Sequence, residues 1–486
     1  MSTASFRHGC ILVFAVASAI AIITHPENAS VLDVIDKITA DFRDWEWKRG
    51  QFLRYSKDYP KGWPGFDCPI PDSRVPPQDV HHLAPWDISV IGALGDSLTA
   101  GRAAGAEQIG ELLSDYRGMS FATGMDRNLT EQASLFNIFS QFSPNLKSGS
   151  VGIGLAEDPL TAGFNMAVSG AVSADLPEQA LTLVRRIRSN PNVDFDKDWK
   201  FINIFIGSND LCTVCLNETR YGPEQYIYNM RKTLLYLRDN LPRTYVNILP
   251  PFHVDNLLET HKSDNAFCED YHSVACPCIY QLTKEQHVSI KKQYNDGLDE
   301  FLTAGYQTEN FTVAISTGFD LNKLPTLGNQ LNLVFIALDC FHFSYIAHDL
   351  AAKVIWQDLF KPIASRKPVD LNEYQPQLWT CPPQDCPYLR TPLNSELCTN
   401  RNLSIPVVPW KQWVKYENTV FVPSIQEMER RAFMEEHGTA FMLMLLALAL
   451  LCGLLCLAVA FCCRSKKRYP MEINERTKLL DTRQVT

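Results

Sequence analysis

Outside its C-terminal end the chain has no basic stripe: 45 Lys and Arg stand against 54 Asp and Glu, for a net charge of −9. Nucleic-acid binding depends on clustered cations, so this balance argues against nucleic acid as a partner. Charge is sparse altogether, at 20% of residues against 46% hydrophobic, which excludes a disordered or fibrous chain and leaves one large or two medium globular domains. Internal repeats and long low-complexity tracts are absent. Zinc-type spacing is missing too: Cys268, His272, Cys276 and Cys278 crowd together but match no standard site. The expectation is therefore no metal and no cofactor.

What is present begins at the ends. Residues 1–24 place Arg7 and His8 before ILVFAVASAIAII, the charged and apolar regions of a signal peptide. Residues 439–463 form a 25-residue apolar run followed at once by Arg464, Lys466, Lys467 and Arg468. About 20 residues span a bilayer and a basic cluster marks the cytoplasmic side, so a single type I transmembrane helix is expected. Residues 464–486 form a cytoplasmic tail whose Leu479 and Leu480 follow Glu475 in the pattern of a dileucine sorting signal. Sorting adaptors are the partner that pattern predicts, with the protein at the cell surface and in endosomes or lysosomes. Ten of the 15 cysteines, and all five sequons (Asn28, Asn128, Asn217, Asn310, Asn402), lie between the two apolar segments. An even cysteine set in an exported region reads as disulfides, with connectivity open. Cys212-Thr213-Val214-Cys215 has redox spacing, yet in this context is read as structural.

Between the ends, wholly apolar strands are predicted at 88–94, 164–168, 201–206, 245–249 and 311–316. Helical patterns at 177–188, 223–240, 283–304 and 345–360 separate or follow them. Continuous apolar strands alternating with helices specify an α/β domain over 85–365, a parallel sheet covered on both faces. Residues 25–84, rich in Pro and Trp, read as an extended wrap around it; residues 366–438 read as a disulfide-tied, membrane-proximal stalk.

In such sheets ligands sit at the carboxyl ends of strands. The first strand ends in GALGDSLTAG, placing Ser97 there. Alone, Gly-Asp-Ser is also ordinary turn chemistry. A hydrolytic serine needs a base, a group that orients the base, and donors for an oxyanion. Three later blocks offer them: Ser169-Gly170-Ala171 with exposed backbone N–H groups, Gly207-Ser208-Asn209-Asp210 with an amide donor, and Asp339-Cys340-Phe341-His342, where carboxylate and imidazole share one turn.

Together these blocks resemble the GDSL (SGNH) esterase/lipase superfamily, and the stretches CPIPDSRVPPQDVHHLAPWDISVIGALGDSLTAG and IGSNDLCTVC resemble more narrowly the membrane-associated phospholipase B family. The resemblance covers about residues 66–365 and implies a flavodoxin-like SGNH hydrolase fold. It implies Ser97 as nucleophile, His342 as general base, Asp339 as its orienting partner, and an oxyanion hole from the Ser97 and Gly170 N–H groups and the Asn209 side chain. Ser208 stands where that family pattern has glycine. The function it implies is hydrolysis of phospholipid and lysophospholipid acyl esters by a membrane-anchored ectoenzyme. Esterase activity on retinyl, glyceride or glycan-linked acyl groups is the alternative within enzymes, and a catalytically silent adhesion or receptor ectodomain the alternative outside them. Cys340, between Asp339 and His342, is expected to tie their loop in place.

Overall fold

The computed structural model describes residues 31–55, 59–72, 74–263, 266–320, 325–327, 330–395 and 398. The predicted signal peptide, transmembrane run and tail, with Asn28, Asn402, Leu479 and Leu480, lie outside the described residues. Among the described residues no helix is long and apolar enough to cross a membrane.

The chain opens with helix α1 (Val31–Tyr55) and then crosses the domain irregularly to strand β1 (Ile88–Gly95). A one-turn helix α2 (Ser97–Ala100) follows β1 directly. Then come α3 (Leu176–Ser189), β2 (Trp199–Phe205), α4 (Ser208–Thr213), α5 (Pro223–Asn240) and β3 (Thr244–Leu249). The last part holds α6 (Ala266–Ala275), α7 (Lys284–Leu298), β4 (Phe311–Ile315) and α8 (Tyr345–Asp358). The four strands pair in parallel in the order β1-β2-β3-β4, with Gly95 opposite Phe205 and Phe205 opposite Leu249.

Both faces of this sheet are covered, because successive strand residues point to opposite sides. Phe201 packs on Phe139, which also meets Trp356 of α8. Its neighbour Ile202 meets the opposite layer, where Leu183 of α3 closes over Gly92. Buried on both faces, the strands are mostly apolar, and their buried polar side chains are paired, as Asn247 Nδ2 donates to Asn203 Oδ1 (2.9 Å) and Lys200 Nζ to Phe195 O (2.6 Å).

Three expectations need correction. Residues 164–168 form no full strand. The segment runs beside β1, with Ala93 N–H donating to Phe164 O (3.0 Å) and Val168 N–H to Gly95 O (3.2 Å). Its outer carbonyls, Asn165 O and Ala167 O, accept instead from the buried Arg117 guanidinium at 3.1 and 2.8 Å. A side chain thus replaces the next strand at this edge.

The N-terminal extension is not extended throughout, since residues 31–55 are helix. Phe42, Trp45 and Arg49 fall on one stripe at helical spacing and are buried. Nor do residues 366–395 form a stalk. They pack back on the core: Arg366 Nη1 donates to Ile315 O (2.6 Å), Tyr245 Oη to Arg390 O (2.7 Å) and Trp63 Nε1 to Pro376 O (2.9 Å). The Cys68–Cys381 disulfide joins the two flanking segments to each other.

Candidate active site

β1 delivers its last residues into a tight strand-to-helix turn. At Gly95 a Cβ would collide with the Phe205 carbonyl and the Thr99 side chain, so only glycine fits. Asp96 is the N-cap of α2, its Oδ1 accepting from Leu98 N–H at 2.9 Å. Ser97 therefore heads the helix at the end of a buried strand, and its Oγ lies 2.8 Å from His342 Nε2. His342 Nδ1 lies 2.5 Å from Asp339 Oδ2. The other carboxylate oxygen, Asp339 Oδ1, accepts from the backbone N–H groups of Phe341 (3.1 Å) and His342 (3.0 Å).

Asp339 is fully buried, and burial by itself raises a carboxyl pKa. The His342 ring and the two N–H groups outweigh that effect and hold Asp339 below its ordinary value. It stays ionised beside the imidazole, as a partner that holds one ring nitrogen must.

The other blocks converge on the same strand ends. Val168 N–H is bonded to Gly95 O, and two residues later Gly170 adopts φ +83°, with open space where a Cβ would sit. Asn209 stands on α4, just past β2, and its Nδ2 donates to Ala171 O at 2.9 Å. That bond fixes the amide and leaves a second N–H on the same nitrogen. Gly207 takes φ +114° at the helix start, so glycine is needed one position before Ser208, whose hydroxyl is buried without a partner among the described residues.

The Asp339–His342 turn is held from outside by α1, which the sequence did not single out, and by α6, through the cysteine expected to tie this loop. On α1, Trp45 Nε1 donates to Leu338 O (2.7 Å) and Arg49 Nε to Ile336 O (2.9 Å). From α6, His272 Nε2 contacts Cys340 O (2.9 Å), and Cys268 is disulfide-bonded to Cys340, which adopts φ +63°. The helical stripe Phe42, Trp45, Arg49 was the available signal for α1; nothing in the sequence tells which carbonyls it reaches.

Cys212 pairs with Cys276 and Cys215 with Cys278, so the C-x-x-C cysteines bind across to the segment just after α6, not to each other. Cys386 pairs with Cys398. Asn128, Asn217 and Asn310 are all exposed.

Two predictions arise here. The Cys268→Ser/Cys340→Ser variant is expected to lose roughly tenfold in kcat, because a loosened turn misplaces the imidazole. Esterase assays with and without the substitutions check this, and unchanged kcat would contradict it. The second concerns Asp96. Burial, aided by nearby Asp210 and opposed by the Leu98 N–H, pushes its carboxyl up to about 7, and Asp96 Oδ2 has no partner among the described residues. A raised folded pKa favours the fold below the unfolded value of about 3.9, and that advantage disappears as pH rises through about 7. Asp96→Asn keeps the cap acceptor and removes the buried charge. It is expected to raise stability by on the order of 2 kcal/mol at pH 8, and by much less at pH 4. Denaturant unfolding at the two pH values measures the difference.

A parallel sheet with a Ser-His-Asp hydrogen-bond chain at its carboxyl end is an arrangement of serine hydrolases, carboxylic ester hydrolases among them. The GDSL-like Lipase/Acylhydrolase family matches residues 91–355, more than half of the chain, and the protein belongs to that family. Within it, the chain is similar to the human (Homo sapiens) protein "Phospholipase B1, membrane-associated": 36% identical over 340 residues, covering 68% of this chain and 23% of that protein. The Mus musculus protein of the same name is 36% identical over 344 residues, covering 68% and 23%. The Rattus norvegicus one is 34% identical over 375 residues, covering 75% and 26%. The chain thus spans about a quarter of the length of these relatives.

Proposed function

We propose that this protein is an ectoenzyme that hydrolyses acyl ester bonds of phospholipids and lysophospholipids through a Ser97-His342-Asp339 triad. The observation that carries the proposal is the unbroken chain Ser97 Oγ–His342 Nε2 (2.8 Å) and His342 Nδ1–Asp339 Oδ2 (2.5 Å) at the end of β1. The similarity to proteins named phospholipase B1 supports lipid esters as the substrate class.

In this mechanism Ser97 Oγ attacks the ester carbonyl while His342 Nε2 takes its proton. The oxyanion that forms is met by the Ser97 and Gly170 N–H groups and by the second Nδ2–H of Asn209. The protonated imidazole, held by Asp339, gives its proton to the departing alcohol, and an acyl-enzyme remains. Water enters, His342 takes a proton from it, and the fatty acid leaves as Ser97 is reprotonated. No step calls for a metal or an organic cofactor.

The domain arrangement that accompanies this reading is a signal peptide (1–24), an N-terminal extension (25–84), a hydrolase domain (85–365) against which residues 366–395 also pack, and a membrane-proximal segment from there to residue 438. A transmembrane helix (439–463) and a tail (464–486) with Leu479 and Leu480 as sorting signal complete it. The catalytic domain is then extracellular or lumenal, glycosylated at Asn28, Asn128, Asn217, Asn310 and Asn402.

A hydrolysis panel tests the proposal: diacyl phospholipids, lysophospholipids, glycerides, retinyl esters and short soluble esters, each with wild type and Ser97→Ala. Turnover of the phospholipids by wild type alone is the expected result. Equal turnover by the two proteins overturns the mechanism, and turnover confined to the other esters overturns the substrate class.

A further inference from the structure

The large apolar side chains left exposed are not spread evenly. Leu113 (53%), Ile153 (53%) and Leu155 (67%) on loops, and Leu160 (85%) on the one-turn helix Pro159–Ala162, stand on segments hydrogen-bonded to one another beside the Ser97 turn. The connections are explicit. Arg102 N–H donates to Ser97 O (3.0 Å), and the segment after it pairs with the Leu113 loop through Ala103 N–H to Ser114 O (2.9 Å) and Tyr116 N–H to Gly101 O (2.9 Å). That loop in turn holds the next one, through Gly154 N–H to Asp115 O (3.1 Å) and Gly118 N–H to Gly152 O (3.0 Å). Asp115 Oδ1 also accepts from Ser169 Oγ (2.7 Å), next to Gly170. Exposed apolar side chains therefore stand on a set of linked segments that adjoin the site and form its rim. Clustered exposed leucines mark an interaction surface, because a soluble face has no use for them.

Charge along the rim indicates the partner. Asp115 is matched by Arg117, which is fully buried and 3.2 Å away. Arg102, one-fifth exposed and 3.8 Å from the same carboxylate, shares Asp115 with Arg117, so two guanidinium groups face one carboxylate between the serine and the leucines. The acids on the next segment, Glu157 and Asp158, both interact electrostatically with Arg186, and Asp158 also accepts from Leu160 N–H (3.0 Å) and Thr161 Oγ1 (3.0 Å). Leucines flanking a guanidinium suit a layer with an apolar interior and a phosphate-bearing skin. The apolar run at 439–463 starts 41 residues after Cys398, so such a layer would be within reach of the domain.

We infer that this rim (Leu113, Ile153, Leu155 and Leu160, with Arg102) docks the domain onto a phospholipid surface, so that the site opens toward the lipid. The inference rests on the lipid-ester reading above and adds where the enzyme meets its aggregated substrate. The test uses the full chain in nonionic detergent, assayed on phosphatidylcholine mixed micelles and on a short-chain soluble ester.

For Leu155→Ser/Leu160→Ser the lipid concentration giving half-maximal rate is expected to rise about tenfold, since two leucines no longer leave water. Rates on the soluble ester and the melting temperature should stay as in wild type. Leu155→Trp/Leu160→Trp, which restores interfacial side chains, should return lipid dependence to the wild-type range. An unchanged lipid dependence in the serine variant overturns the docking inference and leaves the proposed function standing. No phospholipid turnover by wild type, with soluble-ester turnover intact, removes both. A wild type that is dimeric by light scattering and a serine variant that is monomeric would make the rim a self-association face and also overturn the inference.

Discussion

Asp339→Asn and Ser97→Ala are each expected to lower kcat by about 10³–10⁴, with the melting temperature nearly unmoved. The loss in Ser97→Ala is that of the proposed nucleophile. The loss in Asp339→Asn follows from how its carboxylate is used. Asp339 Oδ1 accepts two backbone N–H groups and Oδ2 faces His342 Nδ1 at 2.5 Å. An asparagine can keep the backbone bonds only with its oxygen in the first position, which turns its NH₂ toward Nδ1. The ring must then carry its proton on Nε2, facing Ser97, where it cannot accept the hydroxyl proton. The turn keeps its shape and loses its function. If the three residues act as one device, the double variant should be little slower than either single one. Losses that multiply instead would mean that Ser97 and Asp339 contribute separately. Steady-state kinetics on one ester, with thermal melts alongside, decide between the two.

The parts of this molecule that were legible in the sequence share one property: their signal is local. The strand before Ser97, the long helix at 223–240 and the final helix announce themselves by apolar continuity or helical period, and they stand within a few residues of the expected places. Asp339 and His342 could be paired on paper because they are only three positions apart. What was not legible depends on partners far away in the chain. Residues 164–168 have strand composition, but the edge they form is closed by Arg117, which nothing nearby announces. The helical stripe of α1 was obscured by its own tryptophans, Trp45 and Trp47, read together with the proline-rich stretch after it as one segment. Residues 366–395 look like a proline-rich stalk until their partners, Ile315, Tyr245 and Cys68, are known. The crossed pairing of Cys212 and Cys215 with Cys276 and Cys278 is one of many that the cysteine count allowed.

Arg49 is where the missed part meets the site, and its variants should separate shape from charge. The side chain is buried, donates to Ile336 O at 2.9 Å, and interacts electrostatically with Asp339. Burial lowers the guanidinium to about 10 while Asp339 pulls it back up, so it remains a cation at any assay pH near neutral. Arg49→Met removes both the donor and the charge. An unsatisfied buried carbonyl costs about 1–3 kcal/mol, and a turn displaced by an ångström can cost about 100-fold in rate. Removal of a nearby positive charge also makes protonation of the Asp339–His342 pair easier, so the acid limb of the kcat–pH profile should move to higher pH. Arg49→Lys keeps the charge but not the planar Nε donor. It should lower kcat with the acid limb near its wild-type position. A role confined to packing predicts a rate loss in both variants and a shifted limb in neither. Coincident pH profiles for wild type and Arg49→Met would therefore reduce Arg49 to a brace. A shift in the methionine variant alone would show that the N-terminal helix, outside the family's matched residues 91–355, tunes the electrostatics of the Asp339–His342 pair.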